Sequence, residues 1–212
     1  MKDYQDKFIR IALKSEALIF GDFTLKSGRN SPYFFNAAKM LNTKFLTDLS
    51  ECYTKTLQDL DVSFDSIYGP AYKGIFLASI IGTSFRESDL DIPISFNRKE
   101  EKDHGEGGDI IGQLPSGNVL IVDDVISAGT AARESIEKIK SIGANPKIML
   151  VGLDRQEKGV SNMSAKDELE NDFELTVSSI VDLDLLISFV SDEPNFKEFK
   201  SDLEEYRNNW GA

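Results

Sequence analysis

The chain has 212 residues, of which 41% are hydrophobic and 28% charged, and its 36 acidic against 24 basic side chains give a formal net charge of -12 at pH 7. This length and composition predict a single globular domain over residues 1–212, and the negative charge argues against nucleic-acid binding, which needs a basic face. One cysteine, no apolar run of membrane-spanning length and no apolar core at the start predict a cytoplasmic protein that binds no membrane and forms no intrachain disulfide.

A helix is predicted near the start of the chain, because apolar residues recur there at helical spacing: Tyr4, Phe8, Ile11, Ala12 and Leu18. The segment that follows, Phe23 to Asn36, sets Lys26 and Arg29 beside the aromatic run Tyr33-Phe34-Phe35. Aromatic rings and cations together suit a flat base with an anionic substituent. The same run also suits a buried edge strand, and the local pattern leaves both interpretations open.

A second helix is predicted from the apolar stripe Leu46, Leu49, Tyr53, Leu57 and Leu60. A short strand, Ser66 to Gly69, then runs into the turn Gly69 to Gly74, which has the sequence Gly-Pro-Ala-Tyr-Lys-Gly. Glycines at both ends, a proline and a lysine predict a tight turn whose N–H groups and ammonium face an anion. Gly-Pro turns are common, so this turn indicates an anion site only in combination with a second one.

The next predicted strand, Ile92 to Phe96, leads into a charged loop, Asn97 to Gly108, that carries cationic side chains and the only histidine, His104. Three glycines in its last four positions break any helix and indicate a hinge. Such a loop closes over a ligand, excludes water and brings Lys102 or His104 to the chemistry. The alternative is a solvated turn with balanced charge, which is the commoner role of a charge cluster.

The most informative segment is Val119 to Ala131, Val-Leu-Ile-Val-Asp-Asp-Val-Ile-Ser-Ala-Gly-Thr-Ala. Its apolar run Val119 to Val122 predicts a strand buried on both faces of a parallel sheet, with Asp123 and Asp124 at the carboxyl end, where such sheets bind ligands. The turn from Ser127 to Thr130 then opens a helix, whose N-terminus is an anion site. Two carboxylates beside a phosphate site suit sugar hydroxyls or a neighbouring divalent cation.

Two other interpretations of this segment remain. In the first, the acidic pair ends a strand and caps the next helix, although the attached hydroxyl-rich turn favours a binding site. In the second, the segment is the acidic pocket of a bacterial receiver domain, and Asp154-Arg155 at the end of a later strand weakly imitates the phosphate-accepting aspartate. More than a hundred residues with their own chemistry precede the segment, which favours a nucleotide-sugar phosphate site.

The rest of the chain continues the alternation of helices and strands. A helix with Ile136, Ile139 and Ile142 ends at Gly143, and strands follow over Ile148 to Leu153 and Leu175 to Val181. A final amphipathic helix is marked by Phe196, Phe199, Leu203, Tyr206 and Trp210. The pattern predicts an α/β fold with a parallel central sheet flanked by helices.

Together, four segments resemble the signatures of the orotate phosphoribosyltransferases, a family of type I phosphoribosyltransferases. Residues 123–130, Asp-Asp-Val-Ile-Ser-Ala-Gly-Thr, are similar to the phosphoribosyl pyrophosphate motif of the type I fold. Phe23 to Phe35, Gly69 to Gly74 and Phe96 to Gly108 look like the family's three other signatures, in the same order. The resemblance covers essentially the whole chain.

The resemblance also implies details of architecture. A small N-terminal hood is expected, formed mainly by residues 1–40 and the C-terminal segment, together with a mobile catalytic loop over residues 97–110. A strained or cis peptide is expected at Ala71-Tyr72. The family is homodimeric, so a homodimer is expected in which the loop 97–110 of one subunit reaches the active site of its partner.

The activity that the resemblance implies is transfer of the 5-phosphoribosyl group from phosphoribosyl pyrophosphate to N1 of orotate, in the synthesis of UMP. Lys102 and Asp124 are implied as catalytic residues. The implied substrate-binding residues are Lys26, Phe34, Phe35, Tyr72, Lys73, Arg98, Lys99, Lys102, His104, Asp123, Asp124, Val125, Ile126, Ser127, Ala128, Gly129, Thr130, Ala131 and Arg155. Mg²⁺ is implied as the cofactor, held mainly by substrate oxygens and water rather than by protein ligands. A regulator that binds phosphoribosyl pyrophosphate without catalysis is the alternative within the fold.

Overall fold

The structure is a computed structural model that describes residues 1–25, 28–86, 91–99 and 109–212. Its helices are α1 (Asp3–Lys14), α2 (Leu46–Leu60), α3 (Lys73–Thr83), α4 (Thr130–Ser141), α5 (Ala165–Phe173), α6 (Leu183–Asp192) and α7 (Lys200–Trp210), with 3₁₀ helices at Ala37–Met40 and Pro194–Phe199. Its strands are β1 (Leu18–Thr24), β2 (Asn30–Phe35), β3 (Ser66–Tyr68), β4 (Ile94–Asn97), β5 (Ile110–Gly112), β6 (Asn118–Ile126), β7 (Asn145–Asp154) and β8 (Thr176–Asp182). No helix in the described ranges is both long enough and apolar enough to cross a membrane.

Six of the described strands form one sheet in the order β5-β4-β3-β6-β7-β8, in which all neighbours run parallel except β4 and β5. Along β6, Leu120 and Val122 pack into one hydrophobic cluster, whereas Val119 and Ile121 pack into another. Alternate side chains are therefore buried on opposite faces, as expected for a strand covered on both sides. This confirms the predicted α/β fold with a parallel central sheet flanked by helices.

The two hydrophobic clusters lie on the two faces of this sheet. Helices α1, α2, α3 and α6 contribute to the larger cluster, through side chains such as Phe8, Tyr53 and Phe189. Helices α4 and α5 contribute to the smaller one, through Ile136 and Leu169. The central strands are thereby held between two layers of helices, which fixes the positions of their carboxyl ends.

A separate antiparallel hairpin of β1 and β2 packs against the C-terminal helices. Phe20 stacks on Phe199 with ring centroids 5.0 Å apart, and Tyr33 meets the edge of Tyr206 at 5.9 Å. Tyr33 is fully buried, whereas its neighbour Phe34 is 40% exposed, because successive side chains of a strand point to opposite sides. The aromatic run is thus a strand, and its outward side remains available to a ligand.

Strand β6 is longer than predicted. It continues past Val122 to Ile126, so Asp123 and Asp124 lie inside the strand and not beyond its carboxyl end. The reason is tertiary, because β7 pairs with β6 as far as Asp154 and supplies backbone hydrogen-bond partners to the polar residues.

Other boundaries also differ from those predicted. Leu18 begins β1 and does not belong to α1, because Glu16 adopts a left-handed backbone with φ of 56° and breaks the helix. Ile142 lies just beyond α4, and Phe196 and Phe199 belong to a 3₁₀ helix and not to α7. The strands β1 and β5 were not predicted at all.

Candidate active site

The carboxyl ends of β3, β6 and β7 meet at one edge of the sheet, and the turn after β3 is packed tightly there. A β-carbon on Gly74 would lie 2.7 Å from the carbonyl oxygen of Val122, so only glycine fits at this position. The Ala71-Tyr72 peptide is cis, as expected. The Ala71 N–H donates to Asn97 Oδ1 at 2.8 Å, which ties the turn to the end of β4.

The two aspartates of β6 lie in different surroundings, because only Asp124 pairs with a cation. Lys73 Nζ lies 2.6 Å from Asp124 Oδ2, so the lysine of the turn after β3 pairs with the buried second carboxylate. The Asp124 N–H donates to Asp123 Oδ1 at 2.8 Å. Burial and the negative charge of Asp124 raise the pKa of the Asp123 carboxyl to about 7. The Asp123 carboxyl therefore gains or loses its proton near neutral pH.

The turn after β6 has the form of an anion site. Gly129 has φ of 80° and directly precedes α4, whose first N–H groups have no helical acceptors. Ser127 and Thr130 are exposed, and their hydroxyls add further donors. The side chain of Ile126, by contrast, is buried in the smaller hydrophobic cluster, so that this position offers only its backbone to a ligand.

A cavity of about 500 Å³ joins these segments, within the size range of small-molecule sites. Predicted site residues from four separate segments of the chain line it, namely from β2, the start of α3, the end of β6 with its turn, and the residue after β7. Its lining residues are Thr24, Leu25, Arg29, Phe34, Phe35, Asn36, Lys73, Val125, Ser127, Ala128, Arg155 and Glu157. The outward side of β2 thus faces the same space as the anion-binding turn, so the aromatic run also provides a wall of the site.

Arg155 enters this cavity from the end of β7 as an almost fully buried guanidinium, 5% exposed. Its Nε donates to Glu157 Oε1 at 2.5 Å, and its Nη2 donates to Ser31 Oγ at 2.9 Å and Tyr206 Oη at 2.8 Å. The guanidinium also lies 4.2 Å from the centre of the Tyr33 ring. A buried positive charge at the cavity wall suits a carboxylate on a planar ligand.

The predicted loop leaves and returns at one edge of the sheet, since Asn97 of β4 and Ile110 of β5 are strand partners. At its start, Lys99 Nζ lies 4.8 Å from the centre of the Tyr72 ring, and Tyr72 is 69% exposed. The Arg98 N–H donates to the Asp109 carbonyl at 2.7 Å. Lys26, Lys102 and His104 lie outside the described residues.

Within the described ranges, no three histidine, cysteine, aspartate or glutamate side chains cluster in a way that could hold a metal ion. The site offers Asp123 and Asp124, and Asp124 is already paired with Lys73. Mg²⁺ prefers six oxygen ligands and keeps several waters. These two carboxylates fit a magnesium ion that brings most of its ligands as substrate oxygens and water.

Two of the residues that bond to Arg155 had no functional signal in the sequence. Glu157 and Tyr206 both bond to Arg155, but Tyr206 is 51 positions away along the chain. In the sequence, Tyr206 reads only as part of an amphipathic helix, and Glu157 as one of many acidic residues. No local signal marks either one, because their role depends on how α7 packs.

Comparisons with known proteins agree with this arrangement. Residues 38–182 match the phosphoribosyl transferase domain family. The chain is 46% identical to the orotate phosphoribosyltransferase of Marinobacter nauticus over 212 residues and 47% identical to that of Shigella flexneri over 213 residues, with 100% of each chain covered. A crystal structure of orotate phosphoribosyltransferase from Francisella tularensis superposes with a TM-score of 0.83 at 36% identity, covering 97% of this chain and 100% of that one. These matches favour the sugar-phosphate site over a receiver domain, and the chain belongs to the orotate phosphoribosyltransferase family.

Proposed function

We propose that the chain transfers the 5-phosphoribosyl group from phosphoribosyl pyrophosphate to N1 of orotate, giving orotidine 5'-monophosphate and pyrophosphate in the synthesis of UMP. One observation carries this proposal beyond family membership. A single cavity is lined by Ser127 of an anion-binding turn, by Lys73 beside an acidic pair and by the buried cation Arg155. The turn suits the phosphate, the acidic pair suits the sugar hydroxyls, and Arg155 suits the carboxylate of the base.

The phosphoribosyl group is assigned to the turn after β6. Backbone N–H groups from Ser127 to Ala131 bind the 5'-phosphate, with Val125 and Ile126 leading the chain into the turn. Asp123 and Asp124 accept hydrogen bonds from the ribose 2'- and 3'-hydroxyls. As positive charge builds on the ribose ring, Asp124 favours it electrostatically, which is its catalytic role.

Orotate is assigned to the wall formed by β2 and the end of β7. Phe34 and Phe35 provide an apolar surface for the planar ring, and Arg155 provides a guanidinium for its carboxylate. Lys26 completes this subsite in the proposal. The hairpin of β1 and β2, packed on α7, serves as the hood over the base.

The leaving pyrophosphate is assigned to cations at the neighbouring edge. Breaking the C1'–O bond places negative charge on the pyrophosphate, so catalysis depends on cations beside it. Tyr72 and Lys73 bind it from the turn after β3. Arg98, Lys99, Lys102 and His104 approach from the loop, and Lys102 acts as the catalytic cation and acid.

Mg²⁺ is proposed as the cofactor. When bound, it supplies neutralisation of phosphate charge that side chains alone do not provide in a chain with a net charge of -12. Asp123 and Asp124 would hold it on the side of the protein, with most of its ligands coming from substrate oxygens and water. The proposal also includes a homodimer with shared loops and a location in the cytoplasm, where a chain whose only cysteine, Cys52, is buried and unpaired would stay reduced.

The test is the ultraviolet absorbance of orotate in the presence of purified chain, phosphoribosyl pyrophosphate and Mg²⁺. We expect orotate absorbance to fall with time, and no comparable reaction with uracil or hypoxanthine. An unchanged orotate absorbance with a folded chain would rule out the enzymatic function and favour a regulator that binds the sugar phosphate without catalysis. A reaction with uracil or hypoxanthine alone would assign another base.

A further inference from the structure

Two of the three nitrogens of the Arg155 guanidinium donate hydrogen bonds within the protein. Nε donates to Glu157 Oε1 at 2.5 Å, and the two protons of Nη2 are taken by Ser31 Oγ and Tyr206 Oη. Among the described residues, no acceptor bonds to Nη1. Since Arg155 lines the cavity, the structure leaves one nitrogen of this cation free to meet a ligand.

Three of these groups form a closed triangle. The Tyr206 hydroxyl accepts from Arg155 Nη2 and donates to Glu157 Oε1 at 2.5 Å, while the same carboxylate oxygen accepts from Arg155 Nε. Tyr206 therefore has both its donor and its acceptor functions fixed. Rotation of the Arg155 guanidinium would break bonds to groups that are themselves buried, which is costly.

Glu157 extends this network to Arg29, which lines the same cavity. Its second oxygen, Oε2, accepts from Arg29 Nη1 at 2.5 Å, and the Arg29 guanidinium lies 5.0 Å from the centre of the Trp210 ring. Burial acts to raise the pKa of the Glu157 carboxyl, but the guanidinium of Arg155 and the bonded neighbours outweigh it and hold that pKa below its ordinary value. The carboxylate is thus charged at neutral pH and faces two cations.

The end of α7 is fastened to the same place by its backbone. The Lys158 N–H donates to the Trp210 carbonyl at 3.0 Å, and Glu157 forms a β-bridge with Gly211. These contacts join segments about fifty positions apart in the sequence. They hold α7 in register with the segment that carries Arg155.

We propose that Tyr206, Ser31 and Glu157 are positioning residues for the base subsite. They hold Arg155 so that only Nη1 faces the cavity, where it donates to the carboxylate of the base. Helix α7 is then a part of the orotate site that never touches the substrate. This inference rests on the proposed function, because it takes orotate as the ligand of Arg155.

The first test is Tyr206→Phe, which removes one hydroxyl and keeps the ring. We expect the KM for orotate to rise about 10- to 150-fold, the effect of one lost hydrogen bond to a charged group, while kcat and the KM for phosphoribosyl pyrophosphate change less than about twofold. The matched control is Tyr4→Phe, since the Tyr4 hydroxyl donates to Asp59 Oδ2 at 2.6 Å and does not reach the cavity. Tyr4→Phe should leave both KM values unchanged.

Ser31→Ala provides a second variant, in case Tyr206→Phe does not fold. It removes the other Nη2 acceptor and should also raise the KM for orotate selectively. An unchanged orotate KM in folded, active variants would overturn the proposal. So would equal rises in both KM values, because they would indicate a general structural role. A parent chain without orotate-dependent activity would instead refute the proposed function, so the two failures are distinguishable.

Discussion

Adjacent aspartates give the site an acid whose charge depends on pH near neutrality. Lys73 pairs with the Asp124 carboxylate, whereas Asp123 has no such partner among the described residues and is half-buried. Burial and the charge of Asp124 raise the pKa of Asp123 to about 7. A protonated carboxyl loses part of its capacity to accept hydrogen bonds from sugar hydroxyls, so ligand binding has to displace the proton.

We therefore predict that phosphoribosyl pyrophosphate binds more tightly as pH rises from 6 to 8. Below the pKa of Asp123, each pH unit should weaken binding by up to about tenfold, because one proton must leave when the sugar binds. Isothermal titration calorimetry at several pH values with Mg²⁺ measures this slope.

Asp123→Asn is the control for this prediction, because it keeps the shape of the side chain and cannot lose a proton. The phosphates of the ligand titrate in both experiments, so the difference in slope reports Asp123. Equal slopes for the parent chain and Asp123→Asn would contradict the assignment of the titrating group.

At the level of elements, the sequence predicted the strands that are buried on both faces, because such strands are continuous apolar runs. Strands β3, β6, β7 and β8 were found as apolar runs, and the turns at Gly69 to Gly74 and Ser127 to Thr130 by their glycines, lysine and hydroxyls. The length of β6 could not be predicted, since its last residues, Asp123 to Ile126, include two aspartates and are held by pairing with β7. The short edge strand β5 is three residues long and has no pattern of its own.

The same limit applies to the candidate site. Lys73 and Ser127 could be predicted from the turns that follow β3 and β6, whereas Arg155 was implied only by the family resemblance; all three line the same cavity. Glu157 and Tyr206 could not be predicted, because their contacts with Arg155 arise only when α7 docks beside the end of β7. Residues that touch ligands leave local patterns, whereas residues that orient them across the fold do not.

The role of the turn before α4 can be tested by comparing its glycine with a second glycine at the other end of the same helix. Gly129 and Gly143 flank the two ends of this helix and have similar left-handed backbones, with φ of 80° and 83°. An alanine in this conformation costs about 1 kcal/mol at either position. We predict that Gly129→Ala and Gly143→Ala lower the Tm by similar amounts, roughly 2–4 °C, and that only Gly129→Ala raises the KM for phosphoribosyl pyrophosphate.

Differential scanning fluorimetry and steady-state kinetics measure these two effects. The surroundings support the comparison, since a β-carbon on Gly143 would meet nothing within 4 Å and one on Gly129 would lie 3.4 Å from the Ala165 β-carbon. An equal rise in KM for Gly143→Ala would show that the phosphate turn has no special role.

At the level of the whole molecule, charge poses the main problem for this function. A chain with a net charge of -12 repels a ligand that carries several phosphates, and screening weakens that repulsion only beyond about 8–10 Å. Cations therefore have to be concentrated where the pyrophosphate lies. Lys73, Arg98 and Lys99 are at that edge of the sheet, and the proposed homodimer adds Lys102 and His104 from the partner's loop.

The shared site can be tested with two inactive chains. Lys102→Ala alone should lower kcat about 10²–10⁴-fold, the usual contribution of a positioned acid, and Lys73→Ala should impair the body of the site. In a mixed dimer, the intact body of the Lys102→Ala chain would receive the intact loop of the Lys73→Ala chain. One of its two sites would then be complete, and an equal, fully exchanged mixture should regain about a quarter of the parent activity, because half of the dimers formed at random are mixed.

Differently tagged chains and tandem purification measure the exchange, and parent chains with the same tags provide the activity reference. Mixed dimers that form but remain inactive would contradict the shared loop and assign each loop to the site of its own chain.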